Sequence, residues 1–267
     1  MNSLETTLLG IVQGLTEFLP VSSSGHLVIL EHLLGLKEPE ILLDTSLHLG
    51  TLLAVCVFFR SDLAKMIQEL WSWLKPESNG KTDFGPHASM AVMVVVGSIP
   101  TALIGLIFKD PLERLFGAVT IVGAMLLVTG LITGITKFIS ETHEKWDRIN
   151  VWMALAIGAV QGLAIVPGIS RSGATIVCAL LLGLRREIAG RFSFLLSIPA
   201  IVGAVALQLK SDALARVGAW PLFLGFASAA VVGFFALKLL MGMVRKGHFY
   251  YFAPYCFVVG ALTVILF

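Results

Sequence analysis

Charge is what this sequence has least of. Only 13% of its 267 residues are Asp, Glu, Lys or Arg, where a water-soluble domain carries about 25%. That shortage, beside 57% hydrophobic residues and a mean hydropathy of +0.89, excludes a soluble globular protein. Two-residue alternation is missing from the apolar stretches, which argues against a transmembrane barrel and for spanning helices. Cysteine is scarce as well. Cys56, Cys178 and Cys256 each stand inside an apolar stretch without metal-ligand spacing, so they read as small buried hydrophobes. The N-terminus lacks a basic segment and carries Glu5, which argues against a cleavable signal peptide. The expectation is an all-α polytopic membrane protein, one integral membrane domain over residues 1–267.

Two polar islands interrupt the apolar background. The first runs from Gln13 to His26 and holds Thr16, Glu17, Pro20, Ser22, Ser23, Ser24 and Gly25; the second runs from Val160 to Thr175. A hydroxyl or amide left without a partner in an apolar medium costs roughly 2–7 kcal/mol. Groups carried at such a cost are expected to be used. Each island lies between apolar runs too short to cross a bilayer: 4–19 and 26–36 around Pro20, 151–166 and 173–184 around Pro167 and Gly168. Such pairs predict two re-entrant helical hairpins, because irregular backbone at membrane depth is tolerated only inside protein or beside a water-filled cavity. Six full transmembrane helices are expected near 41–59, 87–108 (kinked at Pro100), 117–136, 192–209, 219–240 and 250–267. The polar loop 60–86 carries Trp71 and Trp73, the mark of an interfacial helix.

The islands are related to each other. At an ungapped offset of 148, Gln13-Gly14-Leu15 falls on Gln161-Gly162-Leu163, Ser22, Ser24 and Gly25 on Ser170, Ser172 and Gly173, and Leu34-Gly35-Leu36 on Leu182-Gly183-Leu184. This predicts an internal duplication, residues 1–137 and 149–267, each repeat one hairpin plus three spans. Three spans invert the second repeat, so the hairpins enter from opposite faces and their tips meet near the midplane. Inversion puts loops 60–86, 137–150, 185–191 and the 238–248 turn on one side, with thirteen Lys and Arg; Lys37, Lys109, Arg114, Lys210 and Arg216 lie on the other. The positive-inside rule then places both termini outside the cytoplasm.

The residue types at the meeting point set the chemistry. Gln13 and Glu17, four apart, share one helix face, and Glu17 can bind a cation, accept a proton or cap backbone amides. Ser22, Ser23, Ser24 and Gly25 open a helix, whose N-terminus attracts anions. His26, in its first turn, is read as catalytic. In the second island Ser170, Arg171, Ser172 and Gly173 repeat that helix start, and Thr175 adds a hydroxyl one turn on. Arginine keeps its charge and offers phosphate a planar fork of donors. Two helix starts, an arginine, hydroxyls, an imidazole and a carboxylate suit phosphate-ester or anhydride hydrolysis. Asp44 and His48, four apart at the start of a span, are expected to be solvated at the interface. His32, His87, His143 and His248 receive no role.

Gln13 to Glu17, Pro20 to His26 and Pro167 to Thr175 resemble the signature segments of the undecaprenyl diphosphate phosphatases of the bacitracin-resistance type, and the resemblance extends over nearly the whole chain. It implies removal of one phosphate from undecaprenyl diphosphate, a C55 isoprenoid lipid, to give undecaprenyl phosphate, the carrier of cell-wall synthesis. It also implies a bacterial inner membrane location with the site facing outward, a divalent cation (Mg²⁺ or Ca²⁺), and a homodimer. By the same resemblance Glu17 and Gln13 match the acidic motif, Ser23 and His26 the nucleophile and acid/base pair, and Arg171 the phosphate-binding arginine. The family accepts Glu or Gln at the first acidic position. With Gln13 here, Glu17 is the one carboxylate of the island, and a cation would be held by Glu17 and the diphosphate. Attack by Ser23 and attack by water both stay open.

Layout alone points elsewhere: inverted repeats with broken helices meeting at the midplane also build secondary transporters. A transporter or flippase for a prenyl-phosphate lipid is therefore the competing expectation.

Overall fold

The computed structural model describes residues 3–33, 41–74, 85–108, 111–112, 115–140, 146–208 and 218–267. Its α-helices are α1 (Ser3–Phe18), α2 (Ser23–Leu33), α3 (Ile41–Phe58), α4 (Arg60–Leu74), α5 (Pro86–Ile107), α6 (Val119–Ile135), α7 (Val151–Leu163), α8 (Arg171–Leu181), α9 (Arg186–Gln208), α10 (Ala219–Arg245) and α11 (Ala253–Leu266). Short 3₁₀ turns follow α6 and precede α11. Among the described residues extended pairing is confined to one bridge, Trp146 with Leu184. The fold is all-helical, as expected.

Among the described residues, length and composition make five helices able to span a membrane: α5, α6 continued to Phe138, α9, α10, and α11 with its 3₁₀ turn. A sixth arises if α3 and α4, bent by 71°, act together. Two helix pairs stay short, α1–α2 and α7–α8. Their breaks are chemical. Pro20 disfavours helix at the residue before it, and α1 ends at Phe18. α7 ends at Leu163, and Gly168 at φ +94° turns the chain back toward α8. That backbone region favours glycine.

Partners are exchanged between the two halves of the chain. α1 packs most extensively on α10, and α7, its counterpart, on α5. Both contacts need glycine. A methyl group on Gly10 would meet the Gly225 carbonyl, and one on Gly158 would meet the Gly97 carbonyl. Since lipid tails solvate leucine as well as protein does, close approach at small residues supplies the attraction. Phe18 is fully buried and meets the Phe194 ring of α9 edge-on, with centroids 5.8 Å apart. Glu17 is thereby anchored by its neighbour in the core.

The 60–86 segment holds a helix carrying Trp71 and Trp73, as expected: α4, whose Glu69 side chain caps α5 through the amides of His87 and Ala88, each at 2.8 Å. Two boundaries differ from the sequence expectation. α9 starts at Arg186, inside the expected 185–191 loop. α10 runs to Arg245, past the expected end at 240. In both cases charged residues continue the helix beyond the apolar run because they pair there. Arg191 meets Asp62 at 3.1 Å and Glu187 at 3.3 Å, and Arg245 meets Glu187 at 3.3 Å. Arg185 reaches Asp147 at 2.9 Å, and Arg186 reaches the Ile139 carbonyl at 3.2 Å. These contacts gather the four basic segments at one end of the molecule. Lys37, Lys109, Arg114, Lys210, Arg216 and the Leu34-Gly35-Leu36 match lie outside the described residues, as does His143.

Candidate active site

Each island starts its second helix in the same way. Ser22 Oγ accepts the Gly25 amide at 3.2 Å and lies 3.3 Å from Ser24 Oγ. Ser170 Oγ accepts the Gly173 amide at 3.1 Å and lies 3.2 Å from Ser172 Oγ. One turn differs in cost: Ser22 adopts φ +68°, a left-handed conformation worth about 1–3 kcal/mol of strain for a non-glycine residue. The tips cross closely. A Cβ on Gly25 would stand 3.2 Å from Gly168 Cα, and one on Gly173 would stand 3.3 Å from Pro20 Cβ.

At this crossing Glu17 gathers groups from both islands. Its Oε1 accepts from Arg171 Nη2, 154 residues away in sequence. Its Oε2 accepts Gln13 Nε2 at 2.9 Å and Ser23 Oγ at 2.5 Å. The carboxylate side chain is 5% exposed and that of Arg171 21%. A charge so buried needs a paired partner. The Ser23 hydroxyl thus donates to a carboxylate, the contact through which a serine can lose its proton.

The remaining expected site residues divide by exposure. Ser24 and His26, with Ser23 and Arg171, stay partly exposed, whereas Gln13, Ser22, Ser170, Ser172, Gly173 and Thr175 are buried. Ser22 and Ser170 spend their hydroxyls as helix caps. Ser172 Oγ lies 3.5 Å from the Leu19 carbonyl, and Thr175 Oγ1 bonds the Arg171 carbonyl at 2.8 Å and also pairs with Ser193 Oγ. These side chains brace the crossing, while Ser23, Ser24, His26 and Arg171 stay partly open beside it. His26 is not joined to Ser23 here: its Nδ1 is 2.8 Å from the Ser22 carbonyl and its Nε2 is 2.7 Å from the Tyr255 hydroxyl.

Comparison with known proteins follows the same segments. The family described as Bacitracin resistance protein BacA matches residues 6–262. The chain belongs to that family. A relative from Desulfosudis oleivorans, named undecaprenyl-diphosphatase, is 47% identical over 273 residues, covering 99% of this chain and 98% of the relative. Proteins of the same name from Desulfatibacillum aliphaticivorans and Methanosphaera stadtmanae are 44% and 40% identical, over 99% and 100% of this chain and 99% and 98% of their own lengths.

Three residues of this family member have surroundings that were not legible in the sequence. His48, expected to be solvated at the interface, stands instead with Nε2 3.9 Å from Glu17 Oε2, its Nδ1 on the Asp44 carbonyl at 2.8 Å. The i, i+4 spacing of Asp44 and His48 was a signal; only the packing of α3 on α1 aims it at Glu17. Tyr255, in the first turn of α11, has no sequence signal that singles it out. Glu31 is a further buried carboxylate, on α2, within a run read as apolar.

A divalent cation has limited protein ligands here. Among the described residues no three His, Cys, Asp or Glu side chains group as a metal site. Gln13 Oε1, however, is buried without a hydrogen-bond partner beside Glu17. An amide oxygen and a carboxylate are hard donors that fit Mg²⁺ or Ca²⁺, ions that commonly take their remaining ligands from substrate phosphate and water.

Proposed function

We propose that the chain hydrolyses undecaprenyl diphosphate to undecaprenyl phosphate and inorganic phosphate, recycling the lipid carrier of cell-wall synthesis. The observation that carries this reading is the Ser23–Glu17–Arg171 chain. It joins a hydroxyl nucleophile to a proton acceptor and to a guanidinium that recognises phosphate. The relatives' shared name supports the same reaction, and neither they nor the site favour a transporter or flippase.

The isoprenoid tail stays among the apolar side chains and lipid while the diphosphate enters at the crossing. Arg171 and the α2 and α8 N-termini hold its oxygens, and Ser24 Oγ offers a further donor. Phosphate binding draws Arg171 from Glu17, which is then free to take the Ser23 proton. Ser23 Oγ attacks the terminal phosphorus, the bond to the bridging oxygen breaks, and undecaprenyl phosphate leaves. Water then attacks the phosphoserine phosphorus, Glu17 returns its proton to Ser23 Oγ, and inorganic phosphate departs, with His26 the acid–base group of this second step. Gln13 Oε1 and Glu17 would hold the divalent cation, which supplies charge neutralisation for the phosphoryl oxygens.

The architecture proposed with it is an inverted duplication of residues 1–137 and 149–267. The short pairs α1–α2 and α7–α8 are re-entrant hairpins meeting near the midplane of the inner membrane. Support comes from the matched serine caps at offset 148 and from the exchanged α1–α10 and α7–α5 contacts. Gathering of the basic segments at one end supports a cytoplasmic face there and both termini on the periplasmic side. Apolar side chains on the outer surfaces of α5, α6 and α11, such as Val95, Leu103, Leu131 and Leu262, leave room for lipid and for a homodimer contact; crosslinking in native membranes tests the dimer.

Purified protein in detergent, given undecaprenyl diphosphate, tests the reaction. Phosphate release that EDTA stops and Mg²⁺ or Ca²⁺ restores is expected. Release undiminished by chelator would remove the cation, and no release from folded, lipid-binding protein would remove the enzyme.

A further inference from the structure

The Ser22 carbonyl can only accept, so His26 carries its ring proton on Nδ1, 2.8 Å away. That leaves Nε2 as the nitrogen that exchanges a proton. The group on it is the hydroxyl of Tyr255, at 2.7 Å, 229 residues away in sequence. The two rings lie nearly parallel, 6° apart, with centroids at 5.7 Å. A second contact fixes the same junction: Cys256, next in sequence and fully buried, points its sulfur at the Pro20 carbonyl at 3.5 Å. The start of α11 is thereby seated on the turn that carries Ser22.

We infer that Tyr255 is a positioning residue for His26 in the diphosphatase reaction, an inference that rests on the role given to His26 above. A phenol hydroxyl donates to the neutral ring's Nε2 lone pair and accepts from Nε2–H once the ring is protonated. It therefore holds one ring orientation through both protonation states, which a donor-only or acceptor-only partner would not do. The carbonyl at Nδ1 fixes the tautomer and the phenol at Nε2 the plane, the arrangement that makes an imidazole an efficient acid–base group.

Tyr255→Phe keeps the aromatic ring and removes only the hydroxyl. With undecaprenyl diphosphate as substrate, kcat is expected to fall about tenfold while KM stays within about twofold. In the His26→Ala background the same change should cost nothing further. The ¹⁵N spectrum of histidine-labelled protein should show His26 with a bare Nε2 in both proteins, and in Tyr255→Phe its Nε2 resonance should move to that of a lone pair without a donor. An unchanged kcat, a loss confined to KM, or an equal loss in the His26→Ala background would each overturn the assignment. Full activity of His26→Ala itself would instead overturn the role of His26.

Discussion

Glu17 holds a cation and two neutral donors on two oxygens, with His48 close by, in a place where a carboxylate is expensive. Removing Arg171 leaves that charge buried and unmatched, which costs about 3–5 kcal/mol when a buried pair is broken. Arg171→Ala should therefore lose both activity and stability. Adding Glu17→Gln should recover most of the stability and none of the activity, read as thermal unfolding in detergent beside phosphate release. If the double variant unfolds as early as the single one, Glu17 and Arg171 do not act as a pair. Much of this was legible in the sequence, because charges and hydroxyls within apolar runs are conspicuous. What was not legible is who touches whom. Ser23 and His26 are three apart in sequence, yet one faces α1 and the other faces α11, a matter of helix orientation and long-range docking.

The broken helices hold the site, and two glycine contacts hold the broken helices. α1 lies on α10 through Gly10 and Gly225, and α7 lies on α5 through Gly158 and Gly97. Forcing extra carbons into such a contact costs about 1–3 kcal/mol. Gly10→Leu and Gly158→Leu should each lower the detergent unfolding temperature by several degrees, whereas a leucine at Gly203, which has open space around it, should not. Equal unfolding temperatures for all three would mean that close approach is not what seats the hairpins. The half-length of these helices could be read from Pro20 and from Pro167 and Gly168. Their partners could not, since glycine permits close packing without saying against what. Charged extensions of α9 and α10 were missed for a related reason: hydropathy ends where the first arginine or lysine appears, but a helix ends where pairing and capping end.

At the scale of the molecule, the gathered basic segments predict an orientation. An alkaline phosphatase fused after Phe267 should be active, and a fluorescent protein fused there dark; the reverse pattern would invert the membrane topology. The proposed duplication rests on the serine caps that match at offset 148. Their surroundings have diverged, with Ser23 opposite Arg171 and His26 opposite Ala174 at that offset. In the proposed reaction the first island supplies the nucleophile and carboxylate and the second the phosphate-binding cation. In the proposed reaction Ser23, activated by Glu17, attacks the diphosphate. The most direct measurement is phosphate release from undecaprenyl diphosphate by Ser23→Ala, purified and folded, beside the wild type. A loss of about a thousandfold or more is expected from removing a nucleophile. Activity within about tenfold of wild type would make water, not Ser23, the attacking group.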